Sequence, residues 1–130
     1  TGLRNRRAFQ DQAQELFRQA EREGHSLSVA MLDLDHFKRI NDEHGHASGD
    51  SALVVFAQAL ARTLPQDLTG RLGGEEFALV SRMPPEQLLQ ALDLLRRPEL
   101  DYATLMAVPL LGPGVDAADV AEVDAALGMW

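Results

Sequence analysis

Apolar positions recur along the chain with a period that switches between the helical 3.6 and the strand-like 2. Phe9, Ala13, Leu16, Phe17 and Ala20 share one helical face and Gly24 follows as a stop, so the spacing predicts an amphipathic helix over Arg6 to Glu23. Leu27 to Leu34, LSVAMLDL, is almost wholly apolar and predicts a buried strand with Asp33 near its C-terminal end. Asp35 can cap a short helical turn over His36 to Ile40, and Gly45 and Gly49 punctuate the loop beyond it. Leu53, Phe56, Ala57, Leu60 and Leu64 give a second helix its apolar face, which Pro65 ends. Two short strand-like runs, Leu68 to Leu72 and Phe77 to Ser81, flank Gly73-Gly74-Glu75-Glu76, a hairpin signal because tight turns need positive φ at their centre. Pro84-Pro85 opens a helix with Leu88, Leu89, Leu92 and Leu95 on one face, stopped by Pro98. Ala103 to Leu111 predicts a strand in which Pro109 suits an edge rather than a central ladder. Gly112-Pro113-Gly114 forms a turn, and Asp116 caps a last helix bearing Val120, Val123 and Leu127. The order is α, β, short α, α, β, β, α, β, α, with no internal repeat and no linker.

With 130 residues, 45% apolar and 25% charged, the chain is one globular domain large enough for a core, and a disordered tail or a coiled-coil rod is excluded. The absence of cysteine removes disulfides and thiolate metal sites. No apolar run approaches the ~20 residues needed to span a bilayer. Thr1-Gly2-Leu3-Arg4 is not a charged-then-apolar leader, and a chain without cysteine fits a reducing cytosol, so a cytoplasmic location is expected, whether of a free protein or of the cytoplasmic domain of a membrane protein. Twelve basic residues against 20 acidic ones give a net charge of −8, which argues against a nucleic-acid-wrapping or polybasic membrane surface. A small phosphate ligand held by a few local groups remains compatible with that charge. Lys38 is the only lysine.

Two acidic clusters stand apart in sequence: Asp33 and Asp35 where the first strand ends, and Glu75 and Glu76 on the hairpin turn. If the hairpin flanks that strand, the carboxylates converge, and converging hard oxygens suit Mg²⁺ bound together with substrate phosphates. The same residues can equally be a helix cap and solvated turn glutamates. The first N–H groups of the turn after Asp33 offer a phosphate a place to dock, with Lys38 as a nearby point charge. Gly73 and Gly74 serve the turn and also leave the backbone open to a ligand. No P-loop, no G-x-G-x-x-G and no complete EF-hand loop occurs, and His44 and His46 read as loop residues.

TGLRNRRAF at 1–9, DLDHFKRIND at 33–42, GHASGD at 45–50 and RLGGEEFALV at 71–80 together resemble the GGDEF domain of diguanylate cyclases, in its GGEEF spelling. The resemblance is concentrated in residues 1–82. It implies an α/β fold like the palm of nucleotide cyclases, a central mainly antiparallel sheet covered by helices. It also implies condensation of two GTP into cyclic di-GMP and pyrophosphate with Mg²⁺ or Mn²⁺, across a transient homodimer. Carried over by position, Asp33 and Glu75 would bind the metal with the backbone carbonyl of Leu34. Asn41 and Asp50 would hold the guanine edge; the backbone of His36 and Phe37 and the side chain of Lys38 would face the phosphates. Gly73 and Gly74 would lie against the substrate, and Glu76 would sit beside the reacting 3′-hydroxyl. Arg62 and Arg71 are left as surface or hairpin residues. A longer signalling protein with an upstream sensory or receiver domain is the expected context, with neither nucleic acid nor direct membrane contact by this domain. The family's product-inhibition motif R-x-x-D reads Leu64-Pro65-Gln66-Asp67, without its arginine. The part after GGEEF is about a third shorter than usual, ATLMAVPL lacks the family's serine–glycine signature, and the basic residues that follow Asp124-Ala125-Ala126-Leu127 in active members are not in this sequence. A GTP-binding domain that regulates a partner without turnover is therefore the alternative, and a nucleotide-sugar transferase built on Asp33-x-Asp35 is disfavoured for want of an acceptor domain.

Overall fold

The computed structural model describes residues 5–34, 46–95 and 102–128, with side chains described from residue 53 onward in the middle segment. The elements are α1 (Arg6–Glu23), β1 (Leu27–Leu34), α2 (His46–Thr63), β2 (Leu68–Gly73), β3 (Glu76–Ser81), α3 (Pro85–Asp93), β4 (Tyr102–Leu111) and α4 (Ala117–Leu127). The four strands form one antiparallel sheet in the order β2-β3-β1-β4, so β1 and β3 are central. The expected α/β sheet, the hairpin and the flanking of β1 by that hairpin are all observed. Residues 36–40, expected as a helical turn, lie outside the described residues.

Both faces of the sheet are covered, which accounts for the unbroken apolar run of β1. Leu27, Val29 and Met31 pack on one face with Phe9, Ala13 and Ala20 of α1 and Val123 and Leu127 of α4. The alternate residues Ala30, Leu32 and Leu34 pack on the other with Phe56, Ala57 and Leu60 of α2 and Leu88 and Leu92 of α3. On that second face, Phe56 meets Phe77 at a centroid distance of 4.9 Å and Tyr102 at 5.9 Å. Phe77 is opposite Leu32 and Tyr102 opposite Leu34, so this aromatic group braces the C-terminal end of β1 from beneath.

Local signals set the element ends. Asn5 caps α1 by accepting from the Ala8 N–H at 2.9 Å, and Gly24 closes it in the left-handed conformation, at the predicted boundaries. Asp116 caps α4 by accepting from the Ala118 N–H at 2.8 Å. Arg6 and Gln10 of α1 donate to the carbonyls of Ala126 and Leu127, satisfying acceptors that the last turn of α4 leaves open. A Cβ on Gly70 would lie 2.7 Å from the ring of Phe9, so β2 needs glycine there to admit α1.

Several boundaries depart from expectation. α2 begins at His46, so His46 and Gly49, both expected in the loop before it, lie in its first turn, and β3 begins one residue earlier than expected, at Glu76. α3 ends at Asp93, well before Pro98, because Leu94 and Leu95 donate to the carbonyls three residues back and tighten the chain out of the α-helix; Leu95 is buried all the same. β2 runs one residue further, to Gly73, and β4 begins one residue earlier, at Tyr102. Pro109 does lie on an edge strand, and the register of β4 slips around Leu105, which is exposed. Among the described residues no helix is long and apolar enough to cross a membrane.

Candidate functional site

The end of β1 and the β2–β3 hairpin build the site. Gly73 and Glu76 are paired, leaving Gly74 and Glu75 as the turn; Gly74 has a φ of 45°, a conformation that glycine adopts without steric cost. Glu76, expected on the turn, is instead the first residue of β3, because its backbone is already in the ladder opposite Asp33. The Leu34 N–H donates to the Glu75 carbonyl at 3.0 Å, which ties the turn to the last residue of β1. A row of four residues thus crosses the sheet: Gly73, Glu76, Asp33 and Ala103.

The row has a clear electrostatic consequence. Carboxylates at directly opposed strand positions repel one another, and Asp33 and Glu76 are so opposed, with Glu75 next in the chain. The flanking glycine and alanine add little bulk. Asp33 is half-buried with its Oδ1 shielded from solvent, Glu75 is partly exposed and Glu76 is exposed. Among the described residues neither Glu75 nor Glu76 forms an ion pair. Asp33, Glu75 and the Leu34 carbonyl together offer hard oxygens of the kind Mg²⁺ takes, with its remaining positions left to water and phosphate, so the donor set fits the ion. Among the described residues no group of three His, Cys, Asp or Glu side chains gathers to hold a metal alone.

The other expected site residues are placed less fully. Asp50 lies in the first turns of α2, where the backbone alone is described. His36, Phe37, Lys38 and Asn41 lie outside the described residues. The structure adds one group that the sequence reading leaves as a plain hairpin residue: Arg71, an exposed side chain whose Nε donates to the Gly74 carbonyl at 2.9 Å. Its signal is its place two residues before the glycine pair.

At the opposite end of β2 lies the segment Leu64-Pro65-Gln66-Asp67. Leu64 is buried among the residues between the sheet and α2 and α3, and its carbonyl accepts from the Asp67 N–H at 3.2 Å. The Asp67 carboxylate accepts a hydrogen bond from Ser81 on β3; burial pushes its pKa up, and the Ser81 bond offsets part of that rise. Its Oδ2 is buried without a hydrogen-bond partner. A largely apolar cleft of about 290 Å³ beside it is lined by Thr63, Leu64, Pro65 and Met83, with Ser81 and Arg82.

Residues 1–103 match the family model described as "Diguanylate cyclase, GGDEF domain". The chain is 42% identical over 98 residues to diguanylate cyclase DgcP of Pseudomonas aeruginosa, covering 75% of this chain and 14% of that protein. It is 49% identical over 81 residues to cyclic di-GMP phosphodiesterase PdeB of Shewanella oneidensis, covering 62% of this chain and 9% of the relative. The chain therefore spans a small part of the curated relatives it matches. The crystal structure of the GGDEF domain of DgcB from Caulobacter crescentus in complex with c-di-GMP superposes with a TM-score of 0.79 at 31% identity, covering 98% of this chain and 85% of that one. A family match over most of the chain, the shared fold and the GGEEF hairpin set against the end of β1 lead to one conclusion: this chain belongs to the GGDEF domain family.

Proposed function

We propose that this domain is a diguanylate cyclase that condenses two GTP into cyclic di-GMP and pyrophosphate. The observation that carries this reading is the opposition of Asp33 and Glu76 across the β1–β3 ladder, with Glu75 tied to Leu34 beside them. Asp33 set opposite Glu76, with Glu75 next in the chain, favours a cationic ligand, and a metal–nucleotide complex supplies one. Asp33, Glu75 and the Leu34 carbonyl would hold Mg²⁺ or Mn²⁺. Such an ion, when bound, neutralises phosphate charge and stabilises the attacking and leaving oxygens of an in-line displacement.

The chain's own groups do the rest. Asp50 and Asn41 accept from and donate to the guanine edge, where a carboxylate suits the N1–H and N2–H₂ donors. The backbone of His36 and Phe37 and the side chain of Lys38 orient the phosphates, and Gly73 and Gly74 leave room for the nucleotide beside the hairpin. Glu76 stands by the 3′-hydroxyl and takes its proton as the 3′-oxygen bonds to the α-phosphorus of the facing GTP and the bond to pyrophosphate breaks. The same step in the opposite sense closes the ring. Each domain holds one GTP, so two domains face each other around a two-fold axis in a transient homodimer. An upstream sensory or receiver domain bringing two such domains together fits the small share of its longer relatives that this chain spans.

A second reading, a GTP-binding domain that regulates a partner, is favoured by one observation: the last turn of α4 contains no basic residue that could meet a terminal phosphate. The occurrence of a related stretch in a protein named a phosphodiesterase is in keeping with it. Chromatographic analysis of products from GTP and Mn²⁺ separates the two. Cyclic di-GMP whose specific rate of formation rises with protein concentration supports the cyclase; bound GTP with no product supports the regulator.

A further inference from the structure

We infer that Arg71 is a positioning residue for the acidic hairpin, an inference that rests on the proposed cyclase site. Arg71 lies on β2 opposite Phe77, and its Nε closes back over the turn to the Gly74 carbonyl at 2.9 Å. That carbonyl belongs to the residue immediately before Glu75. The turn is thus held at two consecutive carbonyls, Gly74 by Arg71 and Glu75 by the Leu34 N–H. The first contact comes from a side chain on the hairpin itself and the second from the backbone of β1.

The Arg71 anchor matters because of what the turn carries. Gly74 has a left-handed φ, and a Cβ placed on Gly73 or on Gly74 would meet nothing within 4 Å, so packing does not confine the turn tip. Two glycines in sequence are the most freely rotating backbone available. Glu76 stands directly opposite Asp33, a like-charge pairing that works against closure of the turn on β1 unless something holds it. The planar guanidinium can hold it, because Nε is committed to the carbonyl in a fixed plane, and its charge is placed within the acidic turn without an ion pair to either glutamate among the described residues. A lysine could supply the charge but not the directed Nε–H.

The test uses the intact chain and the variants Arg71→Ala and Arg71→Lys. Amide hydrogen exchange at residues 73–76 reads the hairpin directly, and metal-dependent GTP turnover reads its consequence. In Arg71→Ala the 73–76 amides should exchange roughly tenfold faster while those of β1 and α1 keep their rates. Turnover should fall by about ten- to hundredfold in kcat with KM within a few-fold, since a misplaced reacting group loses rate more than binding. Free guanidinium ion at millimolar concentration should restore part of the loss in Arg71→Ala and none in Arg71→Lys. Unchanged exchange at 73–76 overturns the inference, as does an activity loss in Arg71→Ala and Arg71→Lys that only follows a fall in Tm. If wild type shows no turnover, the cyclase reading fails, and the exchange measurement still decides the role of Arg71.

Discussion

The two ends of β2 carry acids that meet opposite fates. At the C-terminal end, Glu75 and Glu76 are presented at a hairpin whose backbone pairing brings them to Asp33. At the N-terminal end, Asp67 turns its carboxylate inward to Ser81, behind a Leu64 that has joined the core. The first group is gathered by the ladder and left reachable, and the second is withdrawn. An acid beside a strand is therefore neither functional nor structural by type; the backbone register and the neighbour across the ladder decide which. In the family, the N-terminal position would carry an arginine and an aspartate on the surface; here the first is an apolar core residue and the second is half-hidden.

The largest expected effect breaks the hairpin end. Asp33→Asn or Glu75→Gln should reduce metal-dependent turnover of GTP by roughly a hundredfold or more, because an amide oxygen is a poor replacement for a carboxylate ligand to a hard cation. Tm should change little, since the substitution also relieves repulsion; an active variant with wild-type rate would show the acids to be dispensable.

The next effect sharpens the contrast at the other end. Cyclic di-GMP should bind the 64–67 segment weakly, because the bidentate arginine contact that is absent here is worth roughly ten- to hundredfold in affinity. Leu64→Arg is a poor rescue, since Leu64 is buried and an arginine there would lose core packing. Titration of wild type, Arg62→Ala and Asp67→Ala should give the same weak response in all three, and tight binding lost in either variant would contradict it.

Between the two ends, Gly70 couples β2 to α1. Gly70→Ala places a methyl against Phe9 and should cost about 1–3 kcal/mol, read by denaturant unfolding, with both ends of β2 loosened together. Wild-type stability in this variant would mean that α1 yields without cost.

The smallest effect belongs to Asp67. Its folded pKa is raised from the ordinary aspartate value, chiefly by burial, so the folded state holds the proton more tightly than the unfolded chain does. Stability from this group is fully present below the unfolded pKa and is lost as pH rises through the raised folded value. Asp67→Asn keeps a partner for Ser81 and removes that slope, giving a modest rise in Tm at neutral pH and none in acid. Equal pH profiles for the two proteins would contradict the inward placement.

Much of this is legible from local signals. The bounds of α1 follow from one face of apolar residues and Gly24, and the hairpin from Gly73-Gly74 between two short runs. The central place of β1 follows from apolar residues facing both sides. The inward turn of Asp67 is not legible, because it depends on Ser81 arriving from β3. The pairing of Asp33 with Glu76 rather than Glu75 is a matter of register, which the period of two allows but does not select. The Arg71 bond needs the hairpin closed before the side chain has a carbonyl to reach.

Whether the acids at the β1–β3 end hold a metal–nucleotide complex is tested most directly by calorimetric titration of GTP with and without Mg²⁺, on wild type and Asp33→Asn. Binding by wild type should require the metal, and Asp33→Asn should lose that metal dependence. Equal GTP affinity with and without metal, in wild type and variant alike, would contradict the metal–nucleotide site.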